Sequence, residues 1–269
     1  MTKHSNVFVH PDATIGKDVT IGLFSYIAGD VVIGDGTWIG PNVTIMDGAR
    51  IGRNCRIFPG AVISAIPQDL KFKGEITTAE IGDNTTIREC ATVNRGTASK
   101  GKTIVGNNCL LMAYSHIAHD CFLKNNIIIG NGTQLAGEIE IDDYAILSAH
   151  VLVHQFERIG AHVMIQGGAK VNKDIPPFII AAREPLTFAG INLVGLRRRG
   201  FTPQQIATIQ EIYRILYNKG MNVSQALTFI ETHMDISVER ELVLNFIKNS
   251  KRGIVREYTG TEPDEGVEL

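Results

Sequence analysis

The stretch AYSHIAHDCFLK, residues 113 to 124, places His116, His119, Asp120 and Cys121 within six positions. An imidazole beside a carboxylate suits proton removal from a hydroxyl: the ring accepts the proton and the carboxylate orients the ring. Two histidines three positions apart also resemble part of a zinc site. Other reactive groups lie far along the chain. Asp69 and Lys71 sit in QDLKFKG, His154 and Gln155 in VHQF, and Arg197, Arg198 and Arg199 near Asn192 in NLVGLRRRGF. Three arginines can clamp a diphosphate through paired N–H donors, although such a run taken alone favours a solvated surface two to one.

Groups so distant in sequence need a scaffold that stacks remote positions. That scaffold is written in a period of six. From Val9 to Ile63 every sixth residue is Val or Ile, ten in all; the phase resumes at Ile81, Ile87 and Val93, then runs from Val105 through Leu111, Ile117, Leu123 and onward to Val171, another twelve, for 25 hexads. The fifth residue of each hexad is small or branched, as at Ala13, Val19, Ser25, Thr37, Ala49, Cys55, Thr85, Ser115, Cys121 and Ala145, with Pro67 and Glu157 as exceptions. A period of six fits neither an amphipathic helix nor an alternating strand. It fits a parallel β-helix in which each hexad makes one short strand and one turn, and three hexads make a triangular coil of 18 residues. The lead aliphatic points into the prism, the fifth residue fills the space beside it, and Gly, Asn and Asp cluster where the chain turns. Coils stack about 4.8 Å apart. Each buried aliphatic contributes roughly 1.5–3 kcal/mol gross, much of it offset by ordering entropy. Two interruptions, 68–80 and 98–104, leave the prism as loops that can reach a neighbouring subunit. Cys55, Cys109 and Cys121 fall at fifth positions and read as packing residues.

The period ends at Asp174-Ile175-Pro176-Pro177. Thr202 then reads as an N-cap, Pro203 as a first-turn residue and Gln205 as the partner in a capping box. Ile206, Ile209, Tyr213 and Leu216 form an apolar stripe, with Gly220 as the stop. Further helices are expected over Ser224 to Met234 and Val238 to Lys248, followed by a loose acidic tail, TEPDEGVEL. The expected fold is mainly β: a parallel β-helix over residues 1–187 with two ejected loops, then a helical C-terminal domain over 188–269 that covers its open edge.

Bulk properties narrow the function. Of 269 residues 44% are hydrophobic, and a net charge of −2 gives no nucleic-acid footprint. No run of about 18 apolar residues is present to cross a membrane. The start, MTKHSNVFVHPDA, lacks the apolar run of a signal peptide, and four cysteines without a CxxC pair fit a reduced, cytoplasmic chain. Positions 18 apart share a corner on successive coils, so His119, Gly137 and Gln155 form one file. His119 is third in its hexad, at a turn and facing outward. A base there can take a hydroxyl proton while a backbone N–H one coil away holds the developing oxyanion; Asp120 could orient the ring, although adjacent turn residues need not face each other.

The repeat resembles the hexapeptide-repeat acyltransferase superfamily, whose members coil left-handed, against the usual handedness of parallel crossovers, and assemble as trimers. QDLKFKG, HIAHDC, VHQF, GAHVM and NLVGLRRRGF, in this order and spacing, are similar to the UDP-N-acetylglucosamine O-acyltransferase family of lipid A biosynthesis, from about Val9 to Tyr258. The resemblance implies a homotrimer that moves a (3R)-3-hydroxyacyl chain from acyl carrier protein to the sugar 3-hydroxyl. No metal or cofactor is implied, because the 4'-phosphopantetheine arrives on the carrier. It implies His119 as general base, Asp120 as its partner and the Gly137 N–H as oxyanion donor. Asp69, Lys71, His116, His154 and Gln155 are implied to contact the sugar or the donor, and Asn192, Arg198 and Arg199 the nucleotide diphosphate. Gly167 matches the position that sets acyl-chain length, and a glycine there implies a long chain. Glu138 and Asn94 stand where well-known members carry histidine, and Val194 where they carry glutamate.

Other readings of the same residues fit less well. A zinc enzyme like the γ-type carbonic anhydrases shares the prism, but no third histidine joins the file of His116 and His119. A non-enzymatic scaffold gives no reason for His119, Gly137 and Gln155 to align. The N-acyltransferase acting later in lipid A assembly carries an extra N-terminal domain, for which hexads starting at Val9 leave no room. Small acetyltransferases that use coenzyme A lack the QDLK and LRRRG segments. The remaining histidines read as structural or solvated: His10 at a first-coil turn, His150 and His162 at coil corners or subunit contacts, His4 and His233 in solvent.

Overall fold

The period-six aliphatics line the inside of a three-sided prism. In the computed structural model, which describes residues 2–3, 6–218 and 220–257, every lead residue from Ile21 to Val171 is at most 4% exposed. His4 and the acidic tail lie outside the described residues. Most strands have two residues and end on the lead aliphatic, as in Thr44–Ile45, His116–Ile117 and Gln134–Leu135. The fifth residues fill the space beside them: Val19, Ser25, Thr37, Cys55, Cys121 and Ala145 are at most 2% exposed. Burial pushes the thiols of Cys109 and Cys121 up, to about 11 and about 12. These cysteines pack as small apolar groups.

Three parallel sheets make the faces. The first carries twelve strands, among them Ile146–Leu147 and Met164–Ile165; the second carries nine, including His116–Ile117, Gln134–Leu135, Leu152–Val153 and Lys170–Val171; the third carries eight, ending at Arg158–Ile159. Register follows the coil: His116 pairs with Gln134, Gln134 with Leu152, and Leu152 with Lys170. At the interruptions Val62 pairs with Thr92 and Thr92 with His116, offsets of 30 and 24 in place of 18. The extra residues are extruded and the core phase is kept.

The corners explain the turn composition. Asn42, Asn54, Asn84, Asn108, Asp120 and Asn126 all have φ between 53° and 59°, the left-handed region that short polar side chains tolerate. His150 and His162 occupy such corners as well. Along one corner a ladder of side-chain oxygens takes up backbone donors: Asp35 accepts from Lys17, Asp83 from Arg53, Asn107 from Asp83, Asn125 from Asn107 and Asp143 from Asn125, at 2.7–2.9 Å. Donors that no strand partner serves are thereby satisfied.

Beyond Val171 the first face continues through Ile179–Ala182, and Thr187–Ile191 returns antiparallel to it. A short helix α1, Leu193–Arg198, follows; its six residues are too few to show a stripe in the sequence. Helix α2, Pro203–Asn218, starts with the expected box: Thr202 N–H donates to Gln205 Oε1 at 2.9 Å and Gln205 N–H to Thr202 Oγ1 at 3.2 Å. Helix α3 spans Val223–His233, one residue earlier than expected because Asn222 is its cap, and α4 spans Val238–Lys248. Ile209 and Tyr213 of α2 and Val243 of α4 join the same apolar core as the prism.

Glu157, an exception to the fifth-position rule, belongs to this junction. It is fully buried, and Arg252 from beyond α4 reaches it at 2.7 Å, with Asp174 beside them. Burial raises the Glu157 carboxyl, and Arg252 acts against that rise. Arg252→Ala is expected to destabilise the protein by about 3 kcal/mol, the low end for a broken buried pair because Arg252 is partly exposed. Thermal melts compare it with Glu157→Gln, expected to cost less; an Arg252→Ala melt equal to the parent's would show that the pair does not fasten the junction.

Candidate active site

His119 stands at the corner after strand His116–Ile117. Its partner Asp120 takes the left-handed conformation that Asp accepts readily (φ 59°), and its carboxylate is fully buried. His119 Nδ1 lies 2.9 Å from Asp120 Oδ2. The other partners of that carboxylate are donors: Thr97 N–H at 3.0 and 3.1 Å, the Thr97 hydroxyl at 2.6 Å and Lys100 N–H at 3.2 Å. A carboxylate so surrounded acts as acceptor only, so Nδ1 of His119 carries the ring proton and Nε2 is left as the acceptor.

One coil away, Gly137 is the close neighbour of that ring. A Cβ there would lie 2.5 Å from Cε1 and 2.6 Å from Nε2 of His119. Only glycine leaves room for the imidazole in this position. Among the described residues the Gly137 N–H has no acceptor, while its carbonyl accepts from Phe156.

His119, Gly137 and Gln155 open onto one cleft of about 600 Å³, together with Gln68, His116, Gln134, His154 and Lys170. His154 and Gln155 are exposed, and His154 Nδ1 lies 3.1 Å from the Gln155 carbonyl. His116 Nδ1 is 2.7 Å from the Thr92 hydroxyl, and burial, with a smaller effect of His119, lowers its basicity. Asp69 Oδ2 lies 3.9 Å from His119 Nε2, while Lys71 is exposed. Both interruptions fold back toward their own chain's His119–Asp120 pair: the first brings Asp69 near Nε2 and the second brings the Lys100 N–H to the Asp120 carboxylate.

The other expected residues lie elsewhere. Gly167, Asn192 and Arg198 line a second cavity of about 730 Å³ with Ile146, Met164 and Ile180 of the first face. Asn192 is 4% exposed and works inside the protein: Oδ1 accepts from Gly195 N–H at 3.1 Å as the cap of α1, and Nδ2 donates to the His162 carbonyl at 2.9 Å. The three arginines do not form one fork within the chain. Arg197 and Arg198 are exposed, while Arg199 lies over the Tyr144 ring at 5.3 Å and donates to the Tyr144 carbonyl. His162 stacks between Tyr144 and Phe178 at 5.0 and 5.6 Å, and burial first, then Arg199, pushes its pKa down to about 4. It is a packing residue.

The three unusual positions have local accounts. Asn94 is buried and donates to the Ile66 carbonyl at 3.0 Å, fastening the root of the first loop. Glu138 is a corner residue whose N–H donates to the His119 carbonyl. Val194 is exposed at the rim of the second cavity. Sequence reasoning missed Thr97, Lys100, Gln134 and Lys170. Gln134 and Lys170 share the register file of His116, which the 18-residue step could have revealed; the loop donors on Asp120 leave no periodic trace.

Residues 174–255 match the family described as UDP N-acetylglucosamine O-acyltransferase, domain 2, and residues 30–65 match the bacterial transferase hexapeptide family. The acyl-[acyl-carrier-protein]--UDP-N-acetylglucosamine O-acyltransferase of Thiobacillus denitrificans is 44% identical over 256 residues, covering 95% of this chain and 99% of that protein. The chain belongs to the UDP-N-acetylglucosamine O-acyltransferase family. Solved members of that family superimpose along nearly the whole chain. The Bacteroides fragilis UDP-N-acetylglucosamine acyltransferase is 57% identical with a TM-score of 0.93, covering 94% of this chain and 99% of that one. The Francisella novicida enzyme is 44% identical with a TM-score of 0.93, covering 96% and 95%. As in the UDP-N-acetylglucosamine O-acyltransferase family, the prism is a left-handed β-helix with a helical C-terminal region. Zinc chemistry and a purely structural role are not favoured by these relatives.

Proposed function

We propose that this chain transfers a (3R)-3-hydroxyacyl group from acyl carrier protein to the 3-hydroxyl of UDP-N-acetylglucosamine, in the cytoplasm, as the first step of lipid A biosynthesis. The observation that carries the reading is the His119 ring: Nδ1 bound to Asp120, Nε2 open to a cleft, Gly137 against its edge. The sugar hydroxyl gives its proton to Nε2 as its oxygen attacks the thioester carbonyl. The carbonyl electron pair moves onto oxygen, where the Gly137 N–H donates to it. Collapse of that intermediate expels the pantetheine thiolate, which takes the proton back from the imidazolium. Asp120 and Asp69 stabilise the imidazolium in between. Asp69, Lys71, His116, His154 and Gln155 supply polar contacts to sugar or donor. The chemistry calls on no resident cofactor; the 4'-phosphopantetheine belongs to the carrier.

The finer reading is a homotrimer. The His119 cleft takes its strand residues from the second face, whereas Gly167, Asn192 and Arg198 border the first. Among the described residues Arg198 and Arg199 do not line the cleft of His119. First face against second face, repeated around a three-fold axis, closes a ring and brings the two halves together. Arg198 and Arg199, with Asn192 as the cap that holds α1, then serve the diphosphate from the adjacent copy.

Gly167 adds no side chain to the cavity that it lines with Ile146 and Met164, which we read as the seat of the acyl chain. Gly167→Met is expected to shift preference toward shorter chains, read by competition between carriers loaded with chains of different length; an unchanged profile refutes the assignment. The whole reading is tested with purified protein, UDP-N-acetylglucosamine and acyl carrier protein bearing different 3-hydroxyacyl chains, the products weighed by mass spectrometry. A sugar nucleotide heavier by one hydroxyacyl group is expected. Thioester hydrolysis without transfer, or no turnover with any chain, sinks it.

A further inference from the structure

A carboxylate that orients a histidine must itself be held, because it turns freely about its own Cβ–Cγ bond. The holder here is the root of the second interruption. Thr97 is 8% exposed and gives the buried Asp120 both its backbone N–H and its hydroxyl. The hydroxyl meets Oδ2 at 2.6 Å, the same oxygen that meets His119 Nδ1 at 2.9 Å. Ser99 N–H donates to the Thr97 hydroxyl oxygen at 3.1 Å. A hydroxyl has one proton to give, and with a donor on its other side that proton points at Asp120. The loop that fixes Thr97 is closed by Gly101 N–H on the Thr97 carbonyl at 2.8 Å, with Gly101 at a φ of 75°.

We propose that Thr97 is a positioning residue for the acyl transfer: its hydroxyl locks the Asp120 carboxylate in the orientation that keeps His119 Nε2 facing the cleft. The inference rests on the acyl-transfer reading above. It assigns the second loop a task inside its own chain, as the clasp behind the base. Valine has the shape of threonine without the hydroxyl, so Thr97→Val removes this hydrogen bond and leaves both backbone donors in place.

A hydroxyl that merely braced the loop would, once lost, lower stability and impair turnover whatever residue stood at 120. The positioning role makes a different set of predictions. Thr97→Val is expected to lower kcat about tenfold, the size of one hydrogen bond to a charged group, with both KM values little changed. Thr97→Ser restores the rate. In an Asp120→Ala background the further change to Val has less than about a twofold effect, because no carboxylate remains to be oriented. Proton NMR of the His119 Nδ1–H follows the same bond without substrate: a downfield resonance is expected in the parent and in Thr97→Ser, broadened or lost in Thr97→Val. A parental kcat for Thr97→Val, an equal loss in both backgrounds, or an unchanged resonance overturns the inference. A parent that keeps the resonance pattern but transfers no acyl group supports the clasp and removes the assigned reaction.

Discussion

His119→Ala is expected to lower kcat by about 10²–10⁴-fold, the range for loss of a general base, and to keep the fold. The expectation of survival is structural. The ring stands at a corner, outside the file of lead aliphatics that makes the core, and its side chain is 16% exposed. Its removal does not strand Asp120, whose carboxylate keeps Thr97 N–H, the Thr97 hydroxyl and Lys100 N–H as donors. A buried acceptor that retains partners does not incur the full desolvation cost of an orphan. Steady-state rates with the intended donor and sugar, beside a thermal melt, separate the two effects. Turnover close to the parent's would remove His119 from the mechanism, whereas a collapsed melt would mean that the corner is structural.

The second large effect belongs to Gly137, and it comes from an added methyl group. Gly137→Ala places a Cβ within 2.5–2.6 Å of two His119 ring atoms. The backbone has no need of glycine for its torsions, since Gly137 is not among the positive-φ residues, so folding should be preserved. What must give is the imidazole, and moving it breaks the 2.9 Å bond to Asp120. Misplacement of a catalytic group by about 1 Å costs on the order of 10²-fold. The expected result is a folded protein with kcat lowered about that much and a rotated His119 in its crystal structure. Parental turnover by Gly137→Ala would show that the ring works from some other place.

The prism was legible because its rule is arithmetic. A hexad lead that is Val, Ile or Leu from coil to coil reports an inward-facing position, and Ile21 through Val171 obey it. The file of His119, Gly137 and Gln155 followed from the same step of 18, and the three residues share one cleft. The extruded loops were legible as breaks in phase, but not in destination: where Asp69 and Lys100 land depends on loop conformation, which carries no period. Asn192 shows a second limit. It stood out in a basic segment as a ligand candidate, and beside the second cavity its side chain also caps α1 and holds the His162 carbonyl, a task the sequence did not announce. Both tasks use the same amide chemistry, and only the helix start distinguishes them. Glu157 broke the fifth-position rule because its partner, Arg252, arrives from the far end of the chain.

The two-residue strands bind each coil only to the coils above and below it. Stability in such a one-dimensional array is a sum of nearest-neighbour terms. The half-buried Val9 and Ile15 belong to the first described coil, and His119 lies several coils away from them. Changes in the coils around Val9 and Ile15 therefore send little mechanical message to the base, so that distant coils can vary while the reactive corner stays as it is.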